Sequence, residues 1–143
     1  LLAAYYGGAC IAASGTTAVH ALSYPLGGTY RIPHGVSNAV LLMPVMRYQK
    51  KKIIPRLAEA ARAVGLVPKT EELSAEEEAD LFMDSVDRLL KELNIPTSLK
   101  ALGVPDGDLA GLTEAAYGVR RLLDNNPIDL SRQDIRAIYE SVK

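Results

Sequence analysis

The sequence predicts an all-α fold, a bundle of short helices, on three observations. No stretch sustains the alternation of apolar and polar residues that a half-buried strand requires. Apolar side chains instead recur mostly three and four apart, most clearly at Leu81, Phe82, Val86, Leu89, Leu90 and Leu93. Ser74 with Glu77, and Ser131 with Asp134, carry the spacing of helix N-terminal caps. The 143 residues suffice for one domain with a real core and hardly for two.

Taken in order, residues 1–23 read as one Ala/Gly-rich helix whose small side chains allow close approach by neighbours. Pro25-Leu26-Gly27-Gly28 is expected to end it, with a loop over residues 29–33. Gly27, Gly28 and Gly35 would let the backbone turn and approach closely there. A second apolar helix is expected over 35–48, bent by Pro44. The basic cluster Arg47, Lys50, Lys51, Lys52 then reads as a solvated helix end, where cations suit the dipole.

A third helix is expected over 55–64, ending at Gly65, and residues 68–73 connect it to a fourth, amphipathic one. Ser74 and Glu77 cap that helix by satisfying each other's backbone N–H. Glu76, Glu77 and Glu78 in its first turn suit the positive end of the dipole. Pro96 is expected to open a short helical turn and Pro105-Asp106-Gly107 to form a turn. A helix over 109–117 follows. Leu122-Leu123 precede the loop Asp124-Asn125-Asn126-Pro127, and Ser131 with Asp134 caps a last helix carrying Ile135, Ile138, Tyr139 and Val142.

Composition narrows the function classes. The chain is 48% hydrophobic and 23% charged, which excludes wholesale disorder. Sixteen basic residues against seventeen acidic ones remove the long-range attraction that nucleic acid or an anionic membrane needs. The single Cys10 cannot form an internal disulfide and fits a reducing, cytoplasmic setting. No charge occurs before Arg31, yet Gly7-Gly8, Ser14-Gly15-Thr16-Thr17, His20 and Ser23 interrupt the run. It therefore reads as a helix buried inside a larger protein and not as a membrane span. The start at Leu1, without Met, predicts a fragment or a processed product. No Gly-rich strand-to-helix turn is present to cradle a dinucleotide.

The two histidines are His20, near the end of the first expected helix, and His34, just before the second. A helix, a reversal and another helix start can bring both imidazoles onto one pocket. Neutral imidazole is the commonest side-chain metal ligand, and the positive end of the second helix favours the neutral form of His34. Each histidine taken alone reads more readily as a hydrogen-bonded structural residue than as a ligand.

The residues around them carry more. His20, Pro25-Leu26-Gly27-Gly28, Pro33-His34-Gly35 and Asn38-Ala39 together resemble the iron-containing (group III) alcohol dehydrogenases. A weaker likeness continues through Ile95-Pro96 and Asn125-Asn126-Pro127 to Lys143, which resembles the family's natural C-terminus. The resemblance implies a helical bundle like the C-terminal metal-binding domain of dehydroquinate synthase-like and iron-type alcohol dehydrogenases. Residues 1–143 would form that single domain, in a longer enzyme whose Rossmann-like NAD(P) domain is not in this chain. It also implies that His20 and His34 are the last two of four protein ligands to a divalent metal, Fe(II) or in some relatives Zn(II). The first two, an aspartate and a histidine, belong upstream. The metal would polarise a small alcohol or aldehyde while hydride passes to or from NAD or NADP. A homo-oligomer is expected of the intact enzyme, and no activity of this chain alone.

Departures from the family pattern bear on the substrate and the proton path. Tyr24 stands where many relatives have a second histidine, one turn after His20. It is a candidate to hydrogen-bond substrate or relay a proton, and equally readable as a packing residue. A tyrosine with a reference pKa of about 10 is a poor base near neutrality. Met43-Pro44 shifts a proline by one place, Gln49 replaces a frequent Asn, and Ile128 replaces a frequent Arg. Two other readings stay open: a non-catalytic helical module that docks a partner through its apolar N-terminal helix, and a related polyol or hydroxyacid dehydrogenase.

Overall fold

The computed structural model describes residues 1–68 and 72–143. Among the described residues the chain forms seven α-helices, two short 3₁₀ turns and no strand, as the periodicity predicts. The helices are α1 (Leu2–Ser14), α2 (Ala18–Tyr30), α3 (His34–Ala63), α4 (Ala75–Glu92), α5 (Leu109–Tyr117), α6 (Arg120–Leu123) and α7 (Arg132–Glu140). Of the connector expected over 68–73, residues 69–71 lie outside the described residues.

The single helix expected over 1–23 is two. Gly15 separates them at φ 71° and ψ −166°, a conformation that is essentially confined to glycine. Two asparagines from the far end of the chain satisfy the corner. The Asn125 side-chain amide donates to the Ser14 carbonyl at 2.8 Å, and the Asn126 side-chain oxygen accepts from the Ala18 N–H at 3.3 Å. Groups left free by one helix end and the next helix start thus find partners.

The break expected at Pro25-Leu26-Gly27-Gly28 does not occur. Helix α2 runs through Pro25 to Tyr30, because Ala18, Ala21, Leu22 and Leu26 on it are all fully buried. Tertiary burial outweighs the lost hydrogen bond to the Ala21 carbonyl. The reversal falls instead at Arg31, in the left-handed region (φ 57°, ψ 27°), whose N–H donates to the Gly27 carbonyl at 3.1 Å. Gly27, Gly28 and Gly35 do not make the turn. A Cβ on Gly28 or Gly35 would meet nothing within 4 Å, and one on Gly27 only the Ile32 carbonyl at an ordinary 3.5 Å.

The helices expected over 35–48 and 55–64 are one 30-residue helix, α3, with Pro44 and Pro55 inside it. The basic cluster is therefore at mid-helix, not at an end. Arg47 pairs with Asp87 at 3.0 Å, and Lys50 with Asp80 at 2.7 Å and Glu76 at 3.5 Å, all on α4. Beneath these ion pairs Met43 and Leu57 of α3 pack on Ala79 and Met83 of α4. That packing lets α3 continue through both prolines.

Other expectations stand. Ser74–Glu77 and Ser131–Asp134 are complete reciprocal caps, and α5 has the expected bounds. The turn expected at Pro96 lies later, at Lys100–Leu102, where the preceding Leu99 N–H donates to the Val142 carbonyl at 2.6 Å. The main core joins α2, the first half of α3, α5, α6 and α7 through Leu22, Leu26, Leu41, Leu112, Leu122 and Tyr139. Helix α1 contributes nothing to it: none of its residues is buried, and Tyr5, Tyr6 and Ile11 are exposed. No helix among the described residues is long and apolar enough to cross a membrane.

Candidate metal centre

His20 stands in the first turn of α2 and His34 is the first residue of α3. The tight reversal at Arg31, Ile32 and Pro33 lays α3 back along α2. Fourteen positions apart in sequence, the two imidazoles meet with ring centroids 5.3 Å apart and planes tilted by 52°. A metal about 2.1 Å from one nitrogen of each ring, at a roughly tetrahedral angle, separates the centroids by roughly 5 Å. The ring separation therefore suits two imidazoles that would hold one divalent metal between them.

Tyr24 completes a triangle of rings, 6.3 Å from His20 and 6.2 Å from His34 between centroids. It lies one helical turn beyond His20 on the same face and is exposed. The structure thus brings together all three residues singled out from the sequence.

His20 is half-buried. Burial first, and then the neighbouring charge of His34, pull its pKa below the ordinary 6.5. Both favour the neutral ring, which is the ligating form. His34 is exposed and its ring is held by Asn38, one turn along α3, whose side-chain nitrogen lies 2.9 Å from its Nε2. On the other side the Asn38 side-chain oxygen accepts from the buried Ser23 hydroxyl at 2.8 Å. Ser23 sits three residues after His20, and its Oγ is also 3.1 Å from the His20 carbonyl. Sequence reading missed the roles of Ser23 and Asn38, although Ser23 stands three places after His20 and Asn38 four after His34, each on its histidine's helical face.

Alongside the histidines runs a cleft of about 530 Å³ between α1 and the start of α3, lined by Cys10, Thr16, His20, Gly35, Asn38 and Leu42. Among the described residues no cluster of three or more His, Cys, Asp or Glu could hold a metal. This chain brings two imidazoles, and a closed or catalytic site takes three or four protein ligands.

Known proteins resemble the chain in sequence and in fold. Residues 1–143 match the C-terminal part of the Fe-containing alcohol dehydrogenase family. The chain is 39% identical over 137 residues to long-chain-alcohol dehydrogenase 1 of Geobacillus thermodenitrificans, covering 96% of this chain and 34% of that protein. It is 33% identical over 140 residues to lactaldehyde reductase of Escherichia coli, covering 98% and 36%. The solved structure of a 1,3-propanediol oxidoreductase superposes with a TM-score of 0.81 at 32% identity, over 90% of this chain and 33% of that one. The chain spans about a third of the length of the relatives it matches.

Proposed function

The chain belongs to the iron-containing alcohol dehydrogenase family, and from that premise we propose that it is the metal-binding helical part of an NAD(P)-linked enzyme. The intact enzyme interconverts an alcohol and an aldehyde or ketone. The observation that carries the reading is the convergence of His20 and His34 at a separation suited to one metal ion.

In this reading His20 and His34 supply two ligands to a divalent metal, Fe(II) or Zn(II), and residues outside this chain supply the rest. When bound, the metal provides Lewis-acid polarisation of the substrate oxygen. The chain's own residues do the positioning. Burial favours the neutral His20 ring, Asn38 holds the His34 ring, and α2 and α3 bring the two rings together. Tyr24, beside both rings, hydrogen-bonds the substrate or passes a proton. The nicotinamide cofactor binds to a domain outside residues 1–143, so this chain alone turns over no substrate. The intact enzyme is proposed to act in the cytoplasm as a homo-oligomer on small alcohols and aldehydes.

One observation favours the rival reading, a docking module: α1 presents Leu2, Tyr5, Tyr6 and Ile11 to solvent. A domain separated from the rest of its enzyme would present the same face, so metal is the discriminating probe. An anaerobic Fe(II) and Zn(II) titration of this chain, beside His20→Ala and His34→Ala, should show about one equivalent that either substitution removes. If a longer protein with the upstream coding region restored also bound no metal through these histidines, the reading would fall.

A further inference from the structure

We infer that the cleft beside His20 takes the unbranched carbon chain of an aliphatic alcohol or aldehyde; this rests on the reading of the histidine pair as a metal centre. The cleft has a volume of about 530 Å³, and His20 is part of its wall. Clefts of about 300–1,000 Å³ enclose whole small molecules, so a short diol would leave most of this one unfilled. Its two long walls are helices. Cys10 and Ile11 come from α1, and Gly35, Ala39 and Leu42 from α3. Those three α3 residues, spaced four and three apart, share one helical face. From Gly35 to Leu42 that face runs about 10 Å, which an extended chain of about eight carbons spans. Gly35 leaves room at the histidine end, where a Cβ would meet nothing within 4 Å. With its oxygen at the histidines, an unbranched chain has this slot to lie along.

The chemistry of the lining separates the substrate classes. Among the described residues no Asp, Glu, Lys or Arg lines the cleft, so the carboxylate of a hydroxyacid would enter without a counter-charge. Two polar side chains in the wall are already engaged. The Ser14 hydroxyl donates to the Cys10 carbonyl at 2.8 Å, and the Asn38 amide lies between Ser23 at 2.8 Å and His34 at 2.9 Å. The remaining hydroxyls, Thr16 and Thr17, stand together at the corner between α1 and α2. Along the rest of the slot each further hydroxyl of a polyol would lose its water without gaining a partner. Each methylene of an alkyl chain, in contrast, is stabilised by leaving water.

The test compares alcohols by chain length. In this chain, 1-octanol followed by methyl NMR should shift Ile11, Val19 and Leu42 together and half-saturate at a lower concentration than 1-butanol, while lactate shifts none of them. In the enzyme with its upstream region restored, kcat/KM should rise about threefold to fourfold per added methylene from 1-butanol to 1-octanol, the worth of one buried CH₂ each. Ala39→Phe, which fills the slot, and Ile11→Asp, which puts a charge in its exposed wall, should each flatten that series. A flat series in the native enzyme, as when upstream residues fill the cleft, overturns the inference. Octanol shifts that miss the cleft, or a series that both variants leave as steep as before, overturn it too. Failure of the metal reading looks different: His34→Ala would leave zinc binding unchanged while the octanol shifts stay in the cleft.

Discussion

Tyr139, on the last helix, donates its hydroxyl hydrogen to the backbone carbonyl of Leu22 at 2.6 Å, joining residues 117 positions apart. Both side chains are fully buried. The bond falls beside the Ala21 carbonyl, from which Pro25 withholds the usual helical donor. Helix α7 thus holds α2 in the turn where its own hydrogen bonding is weakest, one turn from His20. Burial also pushes the Tyr139 hydroxyl far above the ordinary tyrosine pKa, so it remains a donor.

Tyr139→Phe keeps the ring and removes only that donor. It should cost about 0.5–1.5 kcal/mol of stability, the net worth of one hydrogen bond, because the Leu22 carbonyl keeps its helical donor from Leu26. Urea unfolding followed by circular dichroism should show a lower midpoint at an unchanged slope. An unchanged midpoint would mean that the hydroxyl's bond adds nothing net to stability.

Gly15→Ala should destabilise the corner between α1 and α2. A side chain there meets a positive φ and puts Cβ 3.1 Å from the Asn125 side-chain nitrogen, which donates to Ser14. A loss of about 1 kcal/mol or more is expected, in the same unfolding assay. Gly28→Ala is the matched control: Cβ has open space in the last turn of α2, and stability should hold or rise.

The His20 ring should titrate below 6.5 in an NMR pH series. Burial is the larger cause and the charge of His34 the smaller, so His34→Ala should raise the midpoint part of the way and leave a residual depression. The linkage to stability follows from the same shift. Above the ordinary 6.5 the ring is neutral both folded and unfolded, and its contribution is intact. As pH falls below that value the unfolded chain takes up the proton first, so stability declines until the folded ring is also charged. A His20 midpoint above 6.5 would contradict this.

Asp134 gives a second, more acidic step. The Tyr48 hydroxyl, and then Ser131, hold its carboxyl below the ordinary 3.8. Its contribution is therefore complete above that value and is lost as pH falls through the lower, folded one. Asp134→Asn should remove this step from a stability–pH profile taken from about pH 5 to about pH 2. It should also cost about 1 kcal/mol at neutral pH through the weakened cap of α7.

The parts of the fold legible in the sequence are those set by neighbours in the chain. The caps at Ser74 and Ser131 depend on a residue three places on, so spacing was enough to find them. The continuity of α3 was not legible. Pro44 and Pro55 break the local pattern, and only the packing of Met43 and Leu57 against α4 overrides them. For the same reason Arg47 and Lys50 read as a solvated end, because the acids opposite them arrive from 26 to 40 positions away. At the site, His20, Tyr24 and His34 stood out through their motif. Ser23 and Asn38 are uncharged and common, and their bond crosses between helices, so nothing local marked it.

The junction at Gly15 has a consequence for how the chain comes apart. Helix α1 has 13 residues and buries none of them, and an isolated helix of that length is marginal in water. It should open far more readily than the helices sharing the core. Trypsin finds no site before Arg31, whereas chymotrypsin meets the exposed Tyr5 and Tyr6 first. Brief chymotryptic digestion should cut after Tyr5 or Tyr6 and leave a product that begins at Tyr6 or Gly7. The remaining product would carry His20, Ser23, His34 and Asn38 on an undisturbed core, so the metal-facing scaffold is separable from the first turn of the helix that precedes it.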